Sequence, residues 1–201
     1  MTDATDGSCL LTLVGPRATQ ALEAIGFDRP EPFCSVEVDF EGVSAQVLGE
    51  DGLSGEGYSV LVSTEMAGSM WQALNLACSK RGGRPAGSIA AEAWRILRGL
   101  PQAVHELTED YNPLEAGLRD AVSFDKGCYV GQEVVARLNS YDKVSRTLVG
   151  LVLPANAEIP QPGTLLYFED QVVGRVTSAV VPPGWPHAVA LAYVKRRFVE
   201  T

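Results

Sequence analysis

This sequence predicts an α+β fold, with strands and helices mixed in its first two thirds and strands alone towards its end. Three observations carry that reading. Hydrophobic residues make up 46% of the 201 positions, enough for one large or two small cores. Up to about residue 140, stretches of period-two alternation are interleaved with stretches of helical spacing. Beyond it, apolar runs separated by Pro, Gly and Asn clusters read as short strands of a small barrel or sandwich.

The elements follow in order. "CLLTLVG" reads as a buried strand, and "PRATQALEAIG" as a helix opened by Pro16 and closed by Gly26. "SVEVDF" and "VSAQVLG" alternate around Glu41-Gly42, which predicts a hairpin. "GYSVLVS" is a further strand. After Ser63-Thr64 a helix should place Met66, Met70, Ala73, Leu74 and Ala77 on one face, with Gly82-Gly83 beyond its end. Ser88 is the expected cap of "IAAEAWRILRG", stopped by Gly99 and Pro101. Residues 102–127 are irregular, and "QEVVARL" is a short helix. "RTLVGLVL", "TLLYFED", "QVVGRVTSAV" and "AVALAYV" are the closing strands. The expected division is an α+β domain over 1–140 and a β-barrel over 141–201.

Composition narrows the function. Sixteen Lys and Arg against 25 Asp and Glu give a net charge of −9, which argues against DNA as a partner. No run reaches the roughly 18 apolar residues of a membrane span. The polar start "MTDATDGSC" is neither a secretory signal nor an Arg-rich transit peptide. Cys9, Cys34, Cys78 and Cys128 are scattered and lack a C-x-x-C, so reduced thiols and a cytoplasmic setting are expected. His105 and His187 lie far apart, which disfavours a metal site.

Chemistry concentrates in "SFDKGCYVGQEVVAR", residues 123–137. A free cysteine is commonly a small buried hydrophobe, but the neighbours of Cys128 suit a working thiol. Gly127 and Gly131 permit tight turns. Lys126 and the helix start at Gln132 both favour the thiolate form. Such a thiol can be a nucleophile, a metal or cluster ligand, or a redox sensor. Gln132 and Glu133 also suit the first turn of a helix, and Glu133 and Arg137 have the spacing of a bracing pair.

"KGCYVGQE" resembles the signature K-G-C-aromatic-x-G-Q-E of the YgfZ-type folate-binding proteins, relatives of the glycine-cleavage T-protein. "LTLVGPRATQAL", "SGEGYSVLV", "MWQAL", "NPLEAGL", "GRVTSAVVPP" and "AVALAYV" resemble further landmarks of that superfamily, in order. The resemblance implies a partial T-protein-like folate-binding layer with an antiparallel sheet, followed by a small β-barrel. It implies assistance in iron-sulfur cluster assembly or repair, with Cys128 and Lys126 at the reactive centre. Gly127, Tyr129, Gly131, Gln132, Glu133 and Arg137 would support them. Tetrahydrofolate would be the ligand. Arg95 and Arg98 are candidate contacts for its glutamate tail against the plainer reading of solvated helix residues, and Trp94 and Tyr111 are candidates to stack on its pterin against core packing.

Two departures qualify that expectation. Family members carry about 80 to 100 further residues ahead of the part matched here, a domain's worth of chain. The T-protein aspartate associated with catalysis belongs to that part. Where relatives read Arg-x-Glu-Ala-Gly, this chain reads "RILRG", so Leu97 stands at the pterin-holding glutamate and cannot accept hydrogen bonds. The rival readings are a folate-dependent aminomethyltransferase or other one-carbon transferase, and a non-catalytic binding module. Expected partners are iron-sulfur client proteins or the assembly machinery, with a homodimer or a separate N-terminal chain as further possibilities. Lys195, Arg196 and Arg197 read as a solvated terminus.

Overall fold

Glu41 and Gly42 both take left-handed φ values, 54° and 82°, which suits the two-residue turn of a tight hairpin. Asp39 Oδ1 accepts the Gly42 N–H at 3.1 Å and closes that turn. The turn sets the register of β2 (Ser35–Phe40) against β3 (Val43–Gly49), with Phe40 opposite Val43. β4 (Gly57–Ser63) pairs with β3 on one side and with β1 (Ser8–Val14) on the other. The result is a four-stranded antiparallel sheet of order β1-β4-β3-β2. The chain is described by a computed structural model that covers residues 3–50, 57–140 and 144–199.

Contacts divide the chain into two compact units, Met1–Pro85 and Ala86–Thr201. The boundary expected near 140 abuts residues 141–143, which lie outside the described residues. In the first unit, α1 (Ala18–Glu23) and α2 (Ala67–Ser79) pack against β4. Leu22, Val47, Val60 and Met70 are fully buried there, each worth about 1.5–3 kcal/mol over exposure. A single 3-10 turn, Thr64–Met66, precedes α2.

In the second unit, α3 (Ser88–Leu97) lies against β7 (Gln171–Val180) and β8 (Val189–Lys195). Ser88 is the first residue of α3 and does not cap it. Gly87 occupies the cap with extended backbone, and no side chain bonds there. β5 (Arg146–Val152) and β6 (Leu165–Phe168) complete a second antiparallel sheet of order β5-β8-β7-β6. β8 is buried on both faces. Val189 and Leu191 pack with Ile96 of α3, while Ala190, Ala192 and Val194 pack with Val176 in a separate cluster. A bulge at Thr177 sets Val176 opposite Ala192 but Ser178 opposite Leu191, re-aiming two side chains that the site uses. The class is α+β and the closing segment is β-rich, as the alternation predicts.

Candidate functional site

The signature folds as a loop leading into α4 (Gln132–Ser140). Ser123 Oγ accepts the Lys126 N–H at 3.2 Å, and Gln132 donates from its backbone to Tyr129 O at 3.2 Å. Gln132 Nε2 also reaches Lys126 O at 3.5 Å. Gly131 has φ 86° and makes the turn into the helix, a conformation that a side chain would strain. Gly127 takes no left-handed φ, and an added Cβ would meet nothing within 4 Å, so the turn-forming requirement falls on Gly131.

Cys128, Lys126, Glu133 and Arg137 are exposed, and Val130 is fully so. Lys126 Nζ lies 5.0 Å from the centre of the Tyr129 ring, a cation–π contact. Tyr129 Oη is shielded from solvent and has no hydrogen-bond partner. Glu133 and Arg137 form no ion pair; among the described residues the ion pairs are those of Arg95. The helix is therefore held by its buried Val135 and its backbone rather than by that pair. No three His, Cys, Asp or Glu of the described residues converge to hold a metal.

Arg95 sits elsewhere in the unit, 9% exposed at the end of α3. Nε and Nη2 donate to Glu92, Nη1 to Leu100 O and Glu106 Oε2, and Nη2 also to Ser178 Oγ. All five guanidinium N–H groups are thus committed inside the protein. Burial works against the charge, but the hydrogen bonds and charges of Glu92 and Glu106 outweigh it, and the Arg95 pKa is raised. Leu97, two residues on, is 46% exposed.

Glu106 is the residue that sequence reasoning missed. It is wholly buried. Oε2 accepts from Arg95 and from the Gln102 N–H at 3.0 Å. Oε1 lies 2.7 Å from Thr177 Oγ1 and 2.6 Å from Ser178 Oγ. Tyr193 Oη donates to its carbonyl at 3.0 Å, and burial pushes that phenol's pKa up. An acid in the irregular run "AVHELTED" has no periodicity to announce it; only the packing of the bulge against α3 does.

Tyr111 stacks on Tyr193, with ring centres 3.5 Å apart and planes 14° from parallel. The neighbouring "NPLEAGL" forms a capped turn in which Asn112 Oδ1 accepts the Leu114 and Glu115 N–H groups at 3.0 Å. Glu115 then ties the turn to β5, its carbonyl accepting the Leu148 N–H at 2.9 Å. Trp94 is half-buried and Arg98 exposed. No hydrogen bond or ion pair joins Arg95 or Tyr111 to the signature loop among the described residues. The sequence-predicted residues thus fall into two groups, the loop and helix start of 126–137, with Lys126, Cys128, Glu133 and Arg137 exposed, and the buried network around Arg95.

Comparison with known proteins gives the chain a lineage. The family described as the GCVT N-terminal domain matches residues 1–126, and the glycine cleavage T-protein C-terminal barrel domain matches 146–201. The chain belongs to the glycine cleavage T-protein family. A chloroplastic transferase-like protein of Arabidopsis thaliana is 35% identical over 97% of this chain and 44% of its own length. An aminomethyltransferase of Symbiobacterium thermophilum is 34% identical over 92% of this chain and 51% of its own. The chain spans about half the length of the curated relatives it matches. The crystal structure of the glycine cleavage system aminomethyltransferase T from Bartonella henselae superposes with a TM-score of 0.74. It covers 94% of this chain and 52% of that one, and at 24% identity it speaks for the fold.

Proposed function

We propose that the chain serves a folate-dependent one-carbon transferase of the aminomethyltransferase type, with tetrahydrofolate as its small-molecule substrate. The observation that carries this reading is the presence of both T-protein domains in one chain and in order, at 1–126 and 146–201. Relatives named aminomethyltransferases align along most of the chain, which supports it. The positions expected to meet folate do not fit it in the usual way. Arg95 has no free donor, and Leu97 has no acceptor. Binding of the pterin by this chain is accordingly weak. Calorimetric titration of tetrahydrofolate into the purified protein tests the reading. It expects saturable binding with a dissociation constant below about 1 mM, or about −4 kcal/mol; no saturable heat at that concentration contradicts it.

A second reading, assistance in iron-sulfur cluster assembly or repair, is favoured by one observation. Cys128 is exposed on a glycine-bounded loop, with the Lys126 cation beside it in sequence. Substituting Cys128→Ser separates the readings. Loss of client iron-sulfur enzyme activity with tetrahydrofolate binding intact supports the second; unchanged client activity removes it.

A further inference from the structure

We propose that the concave face of the second sheet at Arg146, Arg175 and Lys195 is a binding site for a small phosphate monoester. The strand register builds it. Arg146 of β5 stands opposite Lys195 of β8, and Arg175 of β7 stands opposite Tyr193 of β8. Tyr193 and Lys195 are two residues apart on one strand, so their side chains share a face. Three strands therefore each send one cation to the same side of the sheet.

These cations line one concavity of about 390 Å³, floored by Tyr111 and Tyr193 and edged by Asp110. Its size falls within the range of small-molecule sites. The floor is fixed by the tyrosine stack, and the Arg146 guanidinium carbon lies 5.8 Å from the Tyr111 ring centre. Arg146, Arg175 and Lys195 are exposed. None of them has a carboxylate within ion-pair distance among the described residues, whose two ion pairs both belong to Arg95. Lys195 Nζ donates to Val172 O at 2.6 Å, which holds the ammonium at the rim.

Charge argues for a ligand. Like charges directly opposed on neighbouring strands destabilise a sheet, and Arg146 faces Lys195 across β5 and β8. This cost is carried by a chain whose net charge is −9. A bound anion turns the same arrangement into an attraction. Three cations against the single carboxylate of Asp110 leave two positive charges in the concavity. That balance matches a dianion, and two guanidinium forks suit the bidentate oxygens of phosphate. The space beyond one phosphate admits a small organic body against Tyr111. The site uses Lys195, whose basic cluster "KRR" composition alone assigns to a solvated terminus, and it does not rest on the folate reading.

Calorimetry at low salt with ribose 5-phosphate, inorganic phosphate and succinate tests the proposal on the full chain. Ribose 5-phosphate should bind saturably, more tightly than succinate, and more weakly as salt is raised. Arg175→Gln and Lys195→Gln should each lower its affinity by about tenfold, the scale of one charge-assisted contact. Arg84→Gln removes the same charge from an exposed position in the other unit and should change affinity less than about twofold. Circular dichroism confirms that each variant is folded, and either pocket variant suffices if the other is not. Absence of saturable phosphate binding by the wild type overturns the proposal. So does equal or tighter binding of succinate, or an equal loss in Arg84→Gln.

Discussion

Arg95 Nη1 stands 2.8 Å from Glu106 Oε2, joining the end of α3 to the bulge of β7 through a carboxylate with no solvent exposure. Four groups depend on that one acid: Arg95, the Gln102 N–H, Thr177 and Ser178. Glu106→Ala removes that shared acceptor, while Arg95 keeps Glu92 and Leu100 O, and Thr177 keeps Leu191 O. The expected loss is about 2–4 kcal/mol in urea denaturation, the cost of truncating a buried side chain and leaving the Gln102 N–H without its acceptor. The double change Arg95→Met with Glu106→Leu should lose less than Glu106→Ala alone. A loss under about 1 kcal/mol for Glu106→Ala contradicts the network.

Glu92 gives the same network a pH signature. The hydrogen bond from Arg95 holds its carboxyl below the ordinary value of 4.5, against the opposing effect of burial. A carboxyl whose folded pKa is depressed stabilises the fold above its unfolded pKa, and that stabilisation is lost as pH falls through the folded value. The stability advantage of wild type over Glu92→Gln should therefore be constant near neutrality and shrink below the ordinary value of 4.5. Denaturation midpoints of both proteins across this range check it. An advantage that grows on acidification has the wrong sign for the Arg95 contact.

Among the four thiols, Cys128 should be alkylated first near neutral pH. Cys34 is also exposed, whereas Cys9 and Cys78 are half-covered. Burial pushes the Cys78 thiol up despite Arg81, which makes it the slowest of the set on chemical grounds. The contest is between Cys128 and Cys34, and the exposed loop that carries Cys128 between Gly127 and Gly131 decides it. Competitive labelling read by mass spectrometry gives the order. Faster labelling of Cys34 removes the argument for an activated loop.

Most elements were legible because their patterns are local. β2 and β3 alternate around a turn whose two residues accept positive φ, and β7 spans the whole of "QVVGRVTSAV". Ser88 was misplaced by one residue, since a hydroxyl near a helix start looks the same at the cap and at the first turn. The short helix at "QEVVARL" was legible by its periodicity, but the burial of Arg95 was not. Its partners Glu106 and Ser178 lie 11 and 83 residues away, a separation that no window of sequence registers. The cation row of Arg146, Arg175 and Lys195 was hidden for the same reason, because strand register alone aligns it.

Leu97 offers the most direct test of the folate reading. Its side chain is 46% exposed, so Leu97→Glu buries no unpaired acid; at the last residue of α3 it costs about 0.3–1 kcal/mol against the helix dipole. A carboxylate there can accept N–H bonds from a pterin, one charge-assisted bond being worth about 1.5–3 kcal/mol. Paired calorimetric titrations of tetrahydrofolate into wild type and Leu97→Glu measure the difference. The account predicts weak binding by the wild type and binding about tenfold to hundredfold tighter in the variant. Tight binding by the wild type that Leu97→Glu leaves unchanged would contradict it.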